Sequence, residues 1–204
     1  MEPMTASKKC CGFSLLEMLI VLTLISLVVC ISTANLLGAQ RQRDFEGFAR
    51  EVVALLQTCR WKAMNERSYA GAIVTEQDDV HYVSLYLDGN GNGIRTADVL
   101  SGKDSRFRGP FRMNKVSGDI GTGVLNATIP QLPPKKGFLD PTDPVQFGKS
   151  NIISFSPKGD SSSGTLFLSC RSQSQMFAVV IYGATARLRL WKYSNHGWQM
   201  VEDS

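Results

Sequence analysis

From Phe13 to Leu37 the chain is a run of apolar and small residues broken by one charge, Glu17. As a helix this run of about 25 residues would be about 37 Å long, enough to cross a hydrocarbon core of about 30 Å. A polar interval follows from Asn35 to Arg43, and then apolar residues return at Phe45, Phe48, Val52, Leu55, Leu56, Cys59 and Ala63. Steps of three and four place these on one face of an amphipathic helix, with Arg50, Glu51, Gln57, Arg60 and Glu66 on the other. The pattern predicts one helix from Phe13 to about Arg67, about 80 Å long. Gly38 and Gly47 each cost about 1 kcal/mol relative to alanine and are read as soft points rather than breaks.

Beyond the helix the period changes to two. Ala70 to Thr75 and Val80 to Leu87 read as strands, with Val83, Leu85 and Leu87 alternating against Tyr82, Ser84 and Tyr86. A glycine- and asparagine-rich loop occupies Asp88 to Asp98. Segment 100–148, with Pro130, Pro133, Pro134, Pro141 and Pro144, reads as long loops with short strands, and so long a connection usually means function or variable surface. Ile152 to Phe155, Thr165 to Cys170, Met176 to Tyr182 and Ala186 to Tyr193 read as four closely spaced strands, which predicts an antiparallel meander. The fold class expected is α+β: a long N-terminal helix, first transmembrane and then amphipathic, packed on antiparallel sheet.

At 204 residues and 43% hydrophobic content, with mean hydropathy near zero, there is room for one membrane helix and one folded domain. The net charge of +4 is too small to imply nucleic acid by itself. Of five cysteines, Cys10 and Cys11 precede the apolar run and Cys30 lies within it. Cys59 and Cys170 remain, either as a disulfide in an oxidising compartment or as two small buried hydrophobes. Zinc is not expected, for want of a Cys-x-x-Cys pair or histidine cluster. No hydrolase or transferase constellation is present: His81 and His196 are isolated, and Ser161, Ser162 and Ser163 lie in a turn without a G-x-S-x-G setting. The chain is not expected to be an enzyme.

The start of the apolar run, Gly12-Phe13-Ser14-Leu15-Leu16-Glu17, resembles the type III signal of type IV pilins and pseudopilins, G-F-[ST]-L-x-E, at every position. An ordinary secretory signal is cut after its apolar core, at an A-x-A-like site, whereas here the candidate site lies before it. The resemblance implies that prepilin peptidase cuts after Gly12 and that Phe13 becomes the N-methylated terminus. Lys8 and Lys9 fit a leader kept on the cytoplasmic side. Its removal takes away Lys8, Lys9 and Glu2, a net +1, and leaves +3. The soluble part is similar to the GspH/FimT group of minor pseudopilins in residues 55–63, residues 153–159 leading to Gly164-Thr165-Leu166, and residues 185–190. The implied organisation is a leader at 1–12, a transmembrane half-helix at 13–37, an amphipathic half-helix at 38–67 and a periplasmic β-rich domain at 68–204. The implied partners are prepilin peptidase, the inner membrane, and other pilins or pseudopilins met through the N-terminal helix.

Three places could carry function. A lone carboxylate in an apolar helix is costly, so Glu17 is a functional candidate by default. The resemblance assigns it the neutralisation of a neighbouring subunit's terminal amine; the alternative is a side chain that snorkels to the interface. Asp88-Gly89-Asn90-Gly91-Asn92-Gly93-Ile94 satisfies the D-x-[DN]-x-[DN]-G opening of a calcium loop, with Asp98 beyond. Oxygens of Asp88, Asn90 and Asn92, the Ile94 carbonyl and Asp98 could line a weak calcium site, although Val99 stands where an EF-hand has its bidentate glutamate. The alternative is a hairpin loop whose Asn-Gly pairs supply positive φ. Lastly, Arg187, Arg189 and Lys192, with Arg171, form a basic end. Some FimT-like pilins bind DNA through G-R-x-R; Ala186-Arg187-Leu188-Arg189 keeps the arginines but not the glycine. DNA is therefore a candidate partner, against the plain reading of a polar strand face.

Overall fold

The computed structural model describes residues 14–114, 119–194 and 197–203, without the side chains of 30–37 and 202. The chain forms two compact units, Met1–Asp44 and Phe45–Ser204.

The first helix, α1, spans Leu15–Glu66. In the first unit, the described side chains of 14–29 and 38–44 are all exposed. Leu15, Leu16, Met18, Leu24 and Val28 point to different sides of the helix, yet each is at least half exposed. A helix apolar all round has no face meant for water, so its partners lie outside the unit.

In the second unit the same helix is one-sided. Phe45, Phe48, Ala49, Val52, Val53, Leu56, Cys59 and Ala63 are buried, which is the predicted face widened by Ala49 and Val53, while Leu55 is half-buried. The helix closes with Ser68 N–H donating to the Ala63 carbonyl at 3.2 Å and Arg67 at φ 53°. This is the six-to-one bond and left-handed residue of a Schellman ending, with arginine in the usual glycine place.

Strands β1 (Ala70–Gln77), β2 (Val80–Leu87), β3 (Ser105–Arg112) and β6 (Ile152–Phe155) form one antiparallel sheet in the order β3-β2-β1-β6. Strands β4 (Ile120–Thr122), β7 (Gly164–Cys170), β8 (Gln175–Tyr182), β9 (Arg187–Ser194) and β10 (Gly197–Asp203) form the other in the order β10-β9-β8-β7-β4, and β5 (Val145–Gln146) also pairs with β7. β1 and β2 are joined by Asp78 and Asp79, both at positive φ. Two such residues make the tight turn whose twist matches a hairpin, which fixes the Gln77↔Val80 register. The buried face of α1 shares one core with the inner faces of both sheets: Ala72, Leu85, Ile153 and Phe155 from the first, Leu166, Leu168, Val179, Ile181 and Leu188 from the second. The Phe45 and Phe177 rings meet there at 4.9 Å.

Two loops cover the outer faces. Ile129, Leu132 and Leu139 lie on Phe167, Met176 and Ala178, with Trp191, Tyr193 and Trp198 at the margin. Ile94, with Val99, lies on Ile73 and Ile152. Segment 100–148 therefore does contain short strands and long loops, but part of it is a lid over core.

The expected four-strand meander is corrected by the pairing. Ile152–Phe155 pairs with Ala70–Ile73 of β1 and not with β7, so the chain changes sheets after Phe155. The meander is β7-β8-β9, continued by β10. Among the described residues, the eight-residue β3, the short helix α2 (Thr96–Leu100) and the last strand β10 were not foreseen.

Candidate processing and assembly site

Gly12 and Phe13 lie outside the described residues, and Ser14 is the first residue described. Its carbonyl accepts the backbone N–H groups of Glu17 (3.0 Å) and Met18 (3.1 Å), which opens α1. Glu17 thus sits in the first helical turn, exposed, among exposed Leu15, Leu16, Met18 and Leu19. The free N–H groups and positive dipole end of a helix favour a carboxylate there. Among the described residues no basic side chain stands in that turn. Among the described residues no helix is long and apolar enough to cross a membrane. The described part of the apolar run, residues 14–29, is only about 24 Å of helix.

The acidic loop closes on itself. Asp88 is 4% exposed, and its Oδ1 accepts the backbone N–H groups of Asn90 (2.9 Å) and Gly91 (2.8 Å). Its Oδ2 accepts that of Gly93 at 2.7 Å. Gly91 and Gly93, at φ 80° and 83°, turn the amides inward. Asp98 accepts the Asn92 side-chain amide at 3.0 Å and faces the Lys103 ammonium at 3.8 Å. The Asn92 amide above all, helped by Asn90, Lys103 and Arg95, holds the Asp98 carboxyl below the usual carboxylate range against burial, the second-largest effect. Ile94 is buried on the sheet. The sequence reading missed Asp104, 2% exposed, whose oxygens accept the N–H groups of Gly89 (3.3 Å) and Arg95 (3.2 Å). Among the described residues no group of three or more His, Cys, Asp or Glu stands where it could hold a metal ion. The calcium reading of Asp88, Asn90, Asn92, Ile94 and Asp98 meets carboxylate oxygens already aimed at the loop's own amides.

Three cations of the basic end, Arg187, Arg189 and Lys192, have carboxylate partners within the chain, the two arginines sharing one. Arg187 Nε lies 2.7 Å and Arg189 Nε 3.3 Å from Asp203 Oδ1 on β10. Arg189 also donates to the Tyr182 hydroxyl (3.4 Å) and sits over its ring at 4.9 Å. Asp203, then Tyr182, hold its guanidinium above the usual value. Lys192 Nζ lies 2.9 Å from Glu46 Oε1 on α1.

The bridge considered between Cys59 and Cys170 is not formed; both thiols are buried and free. Cys59 points into the helix–sheet core, where burial pushes its thiol up to about 12. Cys170 Sγ lies 3.6 Å from both Asp119 Oδ2 and Ser172 Oγ, a polar cluster at the end of β7. A cleft of about 540 Å³ between residues 131–139 and strands β7 and β8 was also not foreseen; Leu132, Pro134, Phe167 and Trp191 line it, and the buried Trp191 Nε1 has no hydrogen-bond partner.

Residues 7–30 match the family model described as the prokaryotic N-terminal methylation motif. Neither the comparison with curated proteins nor that with solved structures found a match. The motif spans the candidate cleavage site and Glu17 and runs into an N-terminal helix followed by antiparallel sheets, an α+β arrangement consistent with a pilin-like fold. Together they support a type IV pilin-like protein that prepilin peptidase processes and that assembles with other pilins from a membrane-anchored state.

Proposed function

We propose that this chain is the precursor of a minor pseudopilin or pilin-like structural subunit of the GspH/FimT kind. Cleavage after Gly12 and methylation of Phe13 would give a subunit held in the inner membrane by residues 13–37, with its β-rich domain in the periplasm. It would then join or cap a type II secretion pseudopilus or a type IV pilus. The observation that carries this reading is the first turn of α1, where an exposed carboxylate with no basic neighbour among the described residues opens a helix that is apolar on every side. In lipid such a carboxylate is costly, and so is a buried terminal amine; pairing Glu17 with the amine of the next subunit offsets both costs and sets axial register. The reading needs no catalytic group and no cofactor.

The processing step is tested by replacing Gly12 with alanine and following chain size in membranes. The expected result is full-length precursor only; mature-sized product from that variant refutes the cleavage assignment. A DNA-binding role gains nothing from Arg187, Arg189 and Lys192, each already paired with a carboxylate.

A further inference from the structure

The outer face of the second sheet is only partly covered. Phe167 on β7, Ala178 on β8 and Trp191 on β9 face away from the main core, as alternation with the inward Leu168, Val179 and Leu190 requires. Leu132 and Leu139 of the covering loop lie over Phe167 and Ala178, but Thr165 and Val180, paired across β7 and β8, are left half-buried. Together with Trp191 they line the cleft of about 540 Å³. That volume suits a small organic ligand.

The loop that walls the cleft is built in advance. Gln131 N–H donates to the Gly137 carbonyl at 2.9 Å, Leu139 N–H to the Ile129 carbonyl at 2.8 Å, and Lys135 N–H to the Leu132 carbonyl at 3.0 Å, which ties residues 129–139 as a hairpin. Trp191 Nε1 is buried and has no hydrogen-bond partner among the described residues, whereas Trp198 Nε1 donates to the Pro130 carbonyl at 2.7 Å. The Trp191 ring is thus held by packing alone, and where it lines the cleft that packing is incomplete.

The charge of the lining has one sign. No Asp or Glu is among the lining residues, and Lys135 is the one charged side chain. It is exposed and in no ion pair among the described residues. Asp140, next after Leu139, does not offset it: its Oδ1 accepts the Thr142 N–H at 2.8 Å and the Thr142 hydroxyl at 2.7 Å. The Gln131 and Gln146 amides are tied to the Phe138 and Asp143 carbonyls, each at 3.3 Å. The cleft therefore offers a ligand an apolar, aromatic hollow with a single cation at its rim.

We propose that this cleft binds an aryl or alkyl carboxylate, its apolar body on Val180 and Trp191 and its carboxylate at the Lys135 ammonium. Burial of the body supplies the affinity, and the cation selects a ligand with a negative end. That chemistry has two sources, a free small acid and the C-terminal residue of another chain, which the experiment separates. The cleft lies wholly within the β domain, so the proposal does not rest on the filament-subunit reading.

The test is a proton–nitrogen correlation spectrum of the full chain in dodecylmaltoside micelles, labelled at the tryptophan indole nitrogens. The chain has three tryptophans, and Trp191→Phe assigns the Trp191 resonance. The probes are phenylbutyrate, its neutral amide phenylbutyramide, and the peptide Gly-Gly-Phe with a free or an amidated C-terminus. Phenylbutyrate is expected to move the Trp191 resonance saturably in the millimolar range and to leave that of Trp61, exposed on α1, in place. Affinity should fall about fivefold from acid to amide, the effect of one exposed pair at the upper end of its range. It should fall equally in Lys135→Ala, and no further when the amide meets that variant. Lys135 is exposed, so the variant keeps its fold, which parent-like Trp61 and Trp198 resonances check. Binding of phenylbutyrate supports a small acid as the ligand; binding of the free-carboxylate peptide alone supports a chain end. No saturable shift from either acid, a linear drift shared by Trp61 and Trp191, equal affinity for acid and amide, or undiminished affinity in Lys135→Ala overturns the proposal.

Discussion

Removing the Asp88 carboxylate should weaken the β domain to the same extent with and without calcium. Its backbone is held independently of the side chain: Asp88 N–H donates to the Tyr69 carbonyl at 2.9 Å, and Ser68 Oγ donates to the Asp88 carbonyl at 2.8 Å. The substitution Asp88→Ala therefore leaves the loop's start in place and strips the acceptor from three N–H groups, those of Asn90, Gly91 and Gly93. Hydrogen bonds to a charged acceptor contribute about 1.5–3 kcal/mol each when buried. Asn90 and Gly91 are exposed and their N–H groups regain water, so about 1 kcal/mol per bond is the better figure, about 3 kcal/mol in all. For a chain of this size that is a fall in Tm of roughly 6–12 °C. Asp88→Asn keeps an oxygen for the first two donors but turns an NH₂ group toward Gly93 N–H, and its loss should fall between alanine and the parent. The assay is thermal unfolding of the full chain in detergent, with millimolar calcium and again with chelator. A loss under about 1 kcal/mol in chelator, below even one bond of the assumed strength, would refute the anchoring role. A loss seen only with calcium would return the loop to metal binding.

Phe45→Ala removes a ring that is fully buried and 4.9 Å from Phe177, and should cost about 3–5 kcal/mol in denaturant unfolding; a change under 1 kcal/mol would mean that α1 does not anchor the core. Because burial pushes the Cys59 thiol up to about 12, the folded chain keeps a proton that the unfolded chain loses above about pH 8.5. Its contribution to stability is therefore complete below that pH and is lost as pH rises toward 12. Stability measured from pH 8 to 10.5 should decline less steeply in Cys59→Ala than in the parent, and parallel declines would refute the assignment. In a gel-shift assay the parent chain should give no salt-sensitive DNA complex that depends on Arg187 and Arg189; a complex abolished by changing both to alanine would revive DNA binding there.

The helix face from Phe45 to Ala63 was legible because a 3.6 period needs no knowledge of the partner, and β1, β2 and β7 to β9 were legible for the same reason at period two. The misses are places where the answer depends on what lies across the gap. Ile152–Phe155 announces a strand, but nothing in those four residues says that it pairs with Ala70–Ile73 rather than with the strand that follows it. β3 contains Gly-Pro, a turn signal almost anywhere, which is tolerated here because the strand is at the sheet's edge. The D-x-N-x-N-G spacing shows where carboxylate and amide oxygens fall. It does not show that Asp88 spends its oxygens on N–H groups at 2.7–2.9 Å, because a cation and a ring of inward amides demand the same acceptor.

The same distinction separates the charges that were read well from those that were not. Arg187 and Arg189 are unpaired in the sequence and paired in the fold, because Asp203 lies at the end of a strand, β10, that no local pattern announced. Glu17 is unpaired in the sequence and has no basic neighbour among the described residues in its turn of the helix. A charge whose partner belongs to the same chain can be judged only after folding; a charge whose partner belongs to another molecule looks unpaired before folding and after it.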